Sequence, residues 1–237
     1  MPRMNRAALV LGACLCVPAA VFAQDPVPPL PLPVEPIAPF VLDARAVVPF
    51  FKRDPLVAAA TGIEPGNLPN RGLGLSVGGH VYLLRGKSVA VGLGGDLLLG
   101  ARGRHTVQPE TEDGPEGPTY VTRMTAVTPQ LSLNFGRRDG WSYVSGGIGW
   151  GTLSIEQEDE PYDDSPARVR TINYGGGARW FAKKHLAFNL DFRFHHMAAQ
   201  EPVTADPGTV DPPVPIAGRP LLPASRLIVL SLGISVR

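Results

Sequence analysis

From position 40 onward, apolar and polar residues alternate one by one along successive segments, the period of a β-strand whose side chains point to opposite faces in turn. In the seventh such segment Leu186, Phe188, Leu190, Phe192 and Phe194 share one face, and Ala187, Asn189, Asp191, Arg193 and His195 the other. The last segment sets Ile228, Leu230, Leu232, Ile234 and Val236 against Val229, Ser231, Gly233 and Ser235. The second sets Leu73, Leu75, Val77, Val81 and Leu83 against Gly74, Ser76, Gly78, His80 and Tyr82. Eight segments favour strands in this way: 40 to 51, 72 to 84, 88 to 101, 121 to 135, 141 to 155, 169 to 181, 186 to 197 and 225 to 236.

The connections alternate in length. Short ones lie at Arg85-Gly86-Lys87, Gly136 to Gly140 and Ala182 to His185; long ones span 52 to 71, 102 to 120, 156 to 168 and 198 to 224. Transmembrane β-barrels have short periplasmic turns and long outer loops. With both termini periplasmic, an even number of strands gathers every long connection at one rim. The pattern therefore predicts an all-β fold, an eight-stranded antiparallel transmembrane β-barrel over 40 to 237, integral to the cell outer membrane. Charge divides the same way. Glu110, Glu112, Asp113 and Glu116 lie in the second long connection, and Glu156, Glu158, Asp159, Glu160, Asp163 and Asp164 in the third. Arg85, Lys87, Arg137, Arg138, Lys183 and Lys184 lie at the short turns. Acids in loops commonly just solvate them; as hard oxygen ligands they are also able to gather divalent cations beside lipopolysaccharide phosphates.

Ahead of the strands, Arg3 and Arg6 precede an apolar run from Ala7 to Val21 and the small-residue site Val21-Phe22-Ala23, the layout of a signal peptide over 1 to 23. Leu11-Gly12-Ala13-Cys14 resembles a lipid-attachment box, but only Ala7 to Gly12 separate Arg6 from the box's last small residue, Ala13, a short apolar core for that route. Residues 24 to 39, rich in proline, read as an extended periplasmic linker. Both cysteines, Cys14 and Cys16, fall in the leader, so the expected mature chain has no disulfide or thiolate metal site. Without the two leader arginines, the 22 basic residues of the chain come down to near parity with its 21 acidic ones, a balance that gives no general attraction to nucleic acid.

Alternation alone does not say which face is inside, since a soluble lipocalin-like barrel turns its apolar face inward. Side-chain size does. The polar phase mixes Gly74, Ser76, Gly78, Ser145, Gly147, Gly149, Gly151, Gly175 and Gly177 with Arg45, Tyr82, Gln130, Arg179 and Arg193, a mixture suited to filling a narrow lumen. Asp43, Asp96 and Asp191 share the phase of Arg45, Arg179 and Arg193. Opposite charges are therefore expected to pair as a lumen polar network, because an unpaired buried charge is prohibitive. An aromatic girdle is expected from Phe135, Trp141, Tyr143, Trp150 and Trp180 near the membrane edges. Pro129 falls on the outward phase of the fourth segment, where its missing donor implies a bulge or local distortion.

The run Gly175-Gly176-Gly177-Ala178-Arg179-Trp180-Phe181, a short basic turn, then Leu186 to His195 with Asp191 and Arg193 resembles the penultimate hairpin of small OmpA-like and OmpW-like outer-membrane barrels of Gram-negative envelopes. That resemblance implies outer-membrane lipid, lipopolysaccharide and the barrel-assembly machinery as partners. Members commonly end in an aromatic residue; here the sequence ends Val236-Arg237. Some barrels of this size are lipid A deacylases with Ser two residues after His, but Met197 and Ala198 occupy those places after His195 and His196, so the nucleophile is missing. Gly92 to Gly95 and Gly146 to Gly149 are not phosphate loops, having no Lys-Ser/Thr and no helix after them. The expectation is thus a non-enzymatic barrel without a cofactor or metal, serving envelope integrity or surface contact through its loops. The alternatives are a narrow porin-like pore and, further off, a lipid A-modifying enzyme.

Overall fold

A computed structural model describes residues 37–109, 111, 114–137, 139–161, 165–201 and 220–237. The expected leader, most of the proline-rich stretch, and Glu110, Glu112, Asp113, Arg138, Asp163 and Asp164 lie outside the described residues. Eight strands close into a barrel by consecutive antiparallel pairing: β1 (Phe40–Phe50), β2 (Leu73–Arg85), β3 (Val89–Thr106), β4 (Thr119–Arg137), β5 (Gly140–Gln157), β6 (Arg168–Lys183), β7 (Leu186–Met197) and β8 (Ser225–Val236), with β8 returning to β1. Closure leaves no free edge. The strand ends joined by the three short turns share one rim, and those that lead into the four longer connections share the other.

The phase is that of a membrane barrel. Leu75, Leu83, Phe188 and Leu232 on the outer wall are 59%, 67%, 60% and 65% exposed, whereas Asp43, Arg45, Arg179 and Arg193 point inward and are buried. The lipocalin-like alternative requires the reverse. On β8 the outward run from Ile228 to Val236 climbs roughly 20 Å at about 3.3 Å per residue and a tilt of about 40°, close to the apolar band that such barrels present to lipid.

Strands β3, β4 and β5 run further toward the long-loop rim than the alternation suggested, because their upper residues pair with one another up to Thr106↔Thr119 and Tyr120↔Gln157. The first long connection, which shows no strand period, holds a short helix, α1 (Pro55–Thr61). Its signals are conventional: Asp54 caps the start by accepting from the Leu56 N–H at 2.9 Å, Pro55 opens the first turn, and Gly62 at φ 69° closes it. Pro129 distorts the wall as expected but without a bulge. The β4–β5 ladder skips Thr128 and Pro129 and resumes in the same register, Val127↔Trp150 before the gap and Gln130↔Gly147 after it. The register shifts fall elsewhere, in the β2–β3, β3–β4 and β6–β7 pairs.

Candidate functional site: the filled lumen and the outer rim

The lumen is filled in three layers. At the long-loop end, Val47, Leu98, Met124, Leu153, Ile155 and Val229 meet Phe51, Val57, Ile63 and Leu68 from the first connection, an apolar plug that α1 helps to complete. Leu222 joins it, held where the Gln200 N–H donates to the Leu222 carbonyl at 2.9 Å and the Leu222 N–H donates to the Gln200 side chain at 3.2 Å. At the short-turn end, Ile37, Val41, Tyr82, Ala90 and Trp141 form a second apolar plug, with Phe181 against it. Ile37 is wholly buried there, so the end of the proline-rich stretch is packed into the barrel rather than serving as spacer. Arg237 lies over the Phe181 ring at 3.8 Å and donates from Nε to the Lys184 carbonyl at 2.8 Å.

Between the plugs lies the charged layer. The inward phase brings Asp43, Arg45, Asp96, Arg179, Asp191 and Arg193 together from four strands. Arg179 grips Asp43 with two bonds, Nε at 3.0 Å and Nη2 at 2.7 Å, while Asn189 and Ser235 donate to the same carboxylate at 2.9 and 2.6 Å. Arg45 pairs closely with Asp96, donates to Ser76 at 3.2 Å and lies 3.6 Å from Asp191. Asp191 also receives Arg193 at 2.8 Å and the Tyr143 hydroxyl at 2.5 Å. Arg193 continues to Gln130 and Ser145, and Gln130 donates to Asn173 at 3.1 Å. All six charged groups are thus compensated, the condition under which buried charge is tolerable. The inward glycines make the room. A Cβ on Gly78 would come within 2.9 Å of the Arg45 guanidinium, and one on Gly177 within 2.8 Å of the Tyr143 hydroxyl.

Two girdle expectations need correction. Trp141 and Tyr143 are 3% and 2% exposed and face the lumen, the first in the lower plug and the second bonded to Asp191 beneath the Arg179 guanidinium, 4.0 Å above its ring. Their odd numbers share the phase of the inward Ser145 and Gly149, so alternation already opposed the reading from their position beside a turn. Phe135, Trp150 and Trp180 do face outward, 44%, 54% and 53% exposed. The same parity rule would have added Tyr143, Asn173, Asn189 and Ser235 to the network.

The outer wall carries its own charges above the apolar band. On β3 and β4, Arg102 and Arg104 both pair with Glu158, and Arg123 pairs with Glu156. These described acids of the third long connection are therefore turned onto arginines, neither merely solvated nor grouped to hold a cation. Asp159 and Glu160 remain exposed beside them.

No protein-family model and no curated protein matches this chain. Among solved structures, it is similar to Neisserial surface protein A, with 9% identity and a TM-score of 0.48 over 84% of this chain and 97% of that one. It is similar to Ail, the attachment invasion locus protein of Yersinia pestis, with 11% identity and a TM-score of 0.42 over 83% and 95%. It is likewise similar to OprG from Pseudomonas aeruginosa, with 9% identity and a TM-score of 0.42 over 83% and 94%. The chain resembles small outer-membrane barrels. The likeness is one of architecture and carries no activity from one chain to another.

Proposed function

We propose that this protein is a non-enzymatic, integral outer-membrane barrel that contributes to envelope integrity and displays its long connections outside the cell, with both termini periplasmic. One observation carries the reading: an apolar outer wall surrounds a lumen closed by an apolar plug at each end and a compensated charged layer between them. Such a body is built to sit in lipid and to keep solute out. The lumen residues do structural work. Asp43 with Arg179 ties β1 to β6, and Arg45 ties β1 to β7 through Asp191 and to β3 through Asp96, across the barrel rather than around it. No histidine among the described residues has a hydroxyl nucleophile placed beside it for acyl transfer; the Tyr174 hydroxyl at 3.1 Å from His196 is a phenol in a ring stack.

Membrane fractionation combined with gel mobility before and after boiling tests the reading. The expected result is recovery with the outer membrane and a fast-migrating band that slows only after boiling. Recovery in the soluble periplasmic fraction contradicts it. External protease that cuts within 198–224 on intact cells, and spares the short turns, is the expected result for orientation.

A further inference from the structure

The outer wall over β5 to β8 holds a second group of arginines that differs from the Arg102, Arg104 and Arg123 group in a decisive respect. Arg168 and Arg170 on β6 and Arg226 on β8 are exposed, and among the described residues none has a carboxylate within 4.0 Å. Their neighbours are aromatic. Trp150 stands directly across from Arg170, and His196 directly across from Arg226, pairings that put Cβ atoms about 5 Å apart. Below them a ring ladder descends the wall into the apolar band: His196 stacks on Tyr174 at 5.4 Å, Tyr174 on Phe194 at 5.3 Å, and Phe194 meets Phe192 edge-on at 5.0 Å.

We infer that this face is a binding site for a membrane lipid with a phosphomonoester head group: the phosphate lies among Arg168, Arg170 and Arg226, and an acyl chain lies along the Phe194–Phe192 ladder. Charge complementarity names the head group. Guanidinium presents a fork of donors that fits phosphate oxygens, and at the water boundary such a charge needs no intramolecular partner. Continuity with the apolar band names the rest of the molecule, since a free anion has no use for rings that lead down into lipid. The neutralised group on β3 and β4 is the built-in contrast. There Glu156 and Glu158 already occupy the guanidinium groups, so a phosphate arriving would have to displace a carboxylate.

The inference rests on the membrane-embedded reading above, and the test separates the two. The protein carrying Trp180→Phe, whose remaining outward tryptophan is Trp150, is reconstituted in phosphatidylcholine vesicles. These contain a minor fraction of either phosphatidic acid or phosphatidylcholine brominated near the head group, and Trp150 fluorescence is read. The expected result is much stronger quenching by brominated phosphatidic acid at equal mole fraction. That preference falls about fivefold for each arginine removed by Arg170→Gln or Arg226→Gln, and it shrinks as salt is raised. Arg102→Gln with Arg104→Gln leaves it unchanged, and excess inorganic phosphate does not compete. Equal quenching by both lipids, or a preference that survives Arg170→Gln with Arg226→Gln, overturns the site while leaving the barrel in the membrane. Full competition by inorganic phosphate makes it an anion site and overturns the lipid assignment. Absence of quenching by any lipid overturns both readings.

Discussion

Arginine occupies two settings in this barrel, and the chain treats them differently. In the lumen, Arg45, Arg179 and Arg193 are almost wholly buried and each is matched to aspartate. On the outer wall one group of exposed arginines, Arg102, Arg104 and Arg123, is held by Glu156 and Glu158, and another, Arg168, Arg170 and Arg226, has no acid partner among the described residues. Burial makes compensation obligatory, because a lone charge in a low-dielectric interior costs several kcal/mol, roughly, even after relaxation. At the water boundary compensation is optional, so its presence or absence there is free to serve recognition. The lumen pairs hold the barrel together, and the rim charges face whatever surrounds it.

The largest expected effect is in the lumen. Arg179→Ala leaves Asp43 buried without its guanidinium and should lower stability by about 3–5 kcal/mol, read as a shift of the urea midpoint in detergent. Restoring neutrality with Asp43→Asn in the same chain should recover much of that loss. If Arg179→Ala unfolds at the same urea concentration as the unaltered protein, the lumen pairs are not structural.

The lower plug comes next. Trp141→Ala should cost about 3–5 kcal/mol, as a buried aromatic does, whereas Trp150→Ala on the outer wall should change the midpoint little. Equal losses at the two tryptophans would mean that their faces are wrongly assigned. A smaller effect belongs to Gly177→Ala, whose methyl group meets the Tyr143 side chain and the neighbouring strand backbone; about 1–3 kcal/mol is expected, with the same substitution at the exposed Gly86 nearly silent.

At the rim the effects on stability shrink. Glu158→Gln frees Arg102 and Arg104 from an exposed pair and should cost no more than about 1 kcal/mol. The smallest is a matter of pH. The Leu56 N–H and then Lys52 hold the Asp54 carboxyl below its ordinary value. Its cap on α1 is therefore fully present above the usual carboxylate range and is lost as pH falls through the lowered value. Amide exchange over Pro55–Thr61 should quicken at low pH while exchange in the strands stays slow; strands that loosen together with α1 would contradict a local cap.

Strand number, connection parity and the lumen charges were legible because a closed barrel enforces period-2 alternation on every strand, and Leu186 to His195 displays it almost without exception. Where alternation and position disagreed, at Trp141 and Tyr143, alternation was the better guide. The upper plug was not legible. Phe51, Val57, Ile63 and Leu68 lie in a connection with no strand period, and they reach the lumen only because α1 folds over the mouth. The contrast between the rim clusters was equally hidden, since it depends on the turn at Glu158 bringing its carboxylate back to β3, a contact between residues more than fifty apart.

The central claim is that the barrel is sealed, and conductance across a planar lipid bilayer tests it most directly. Purified protein should insert without producing single-channel steps, with the plugs in place from Ile37 to Leu222. Reproducible steps whose size changes with Arg193→Ala would place a conducting path through the charged layer and contradict the account.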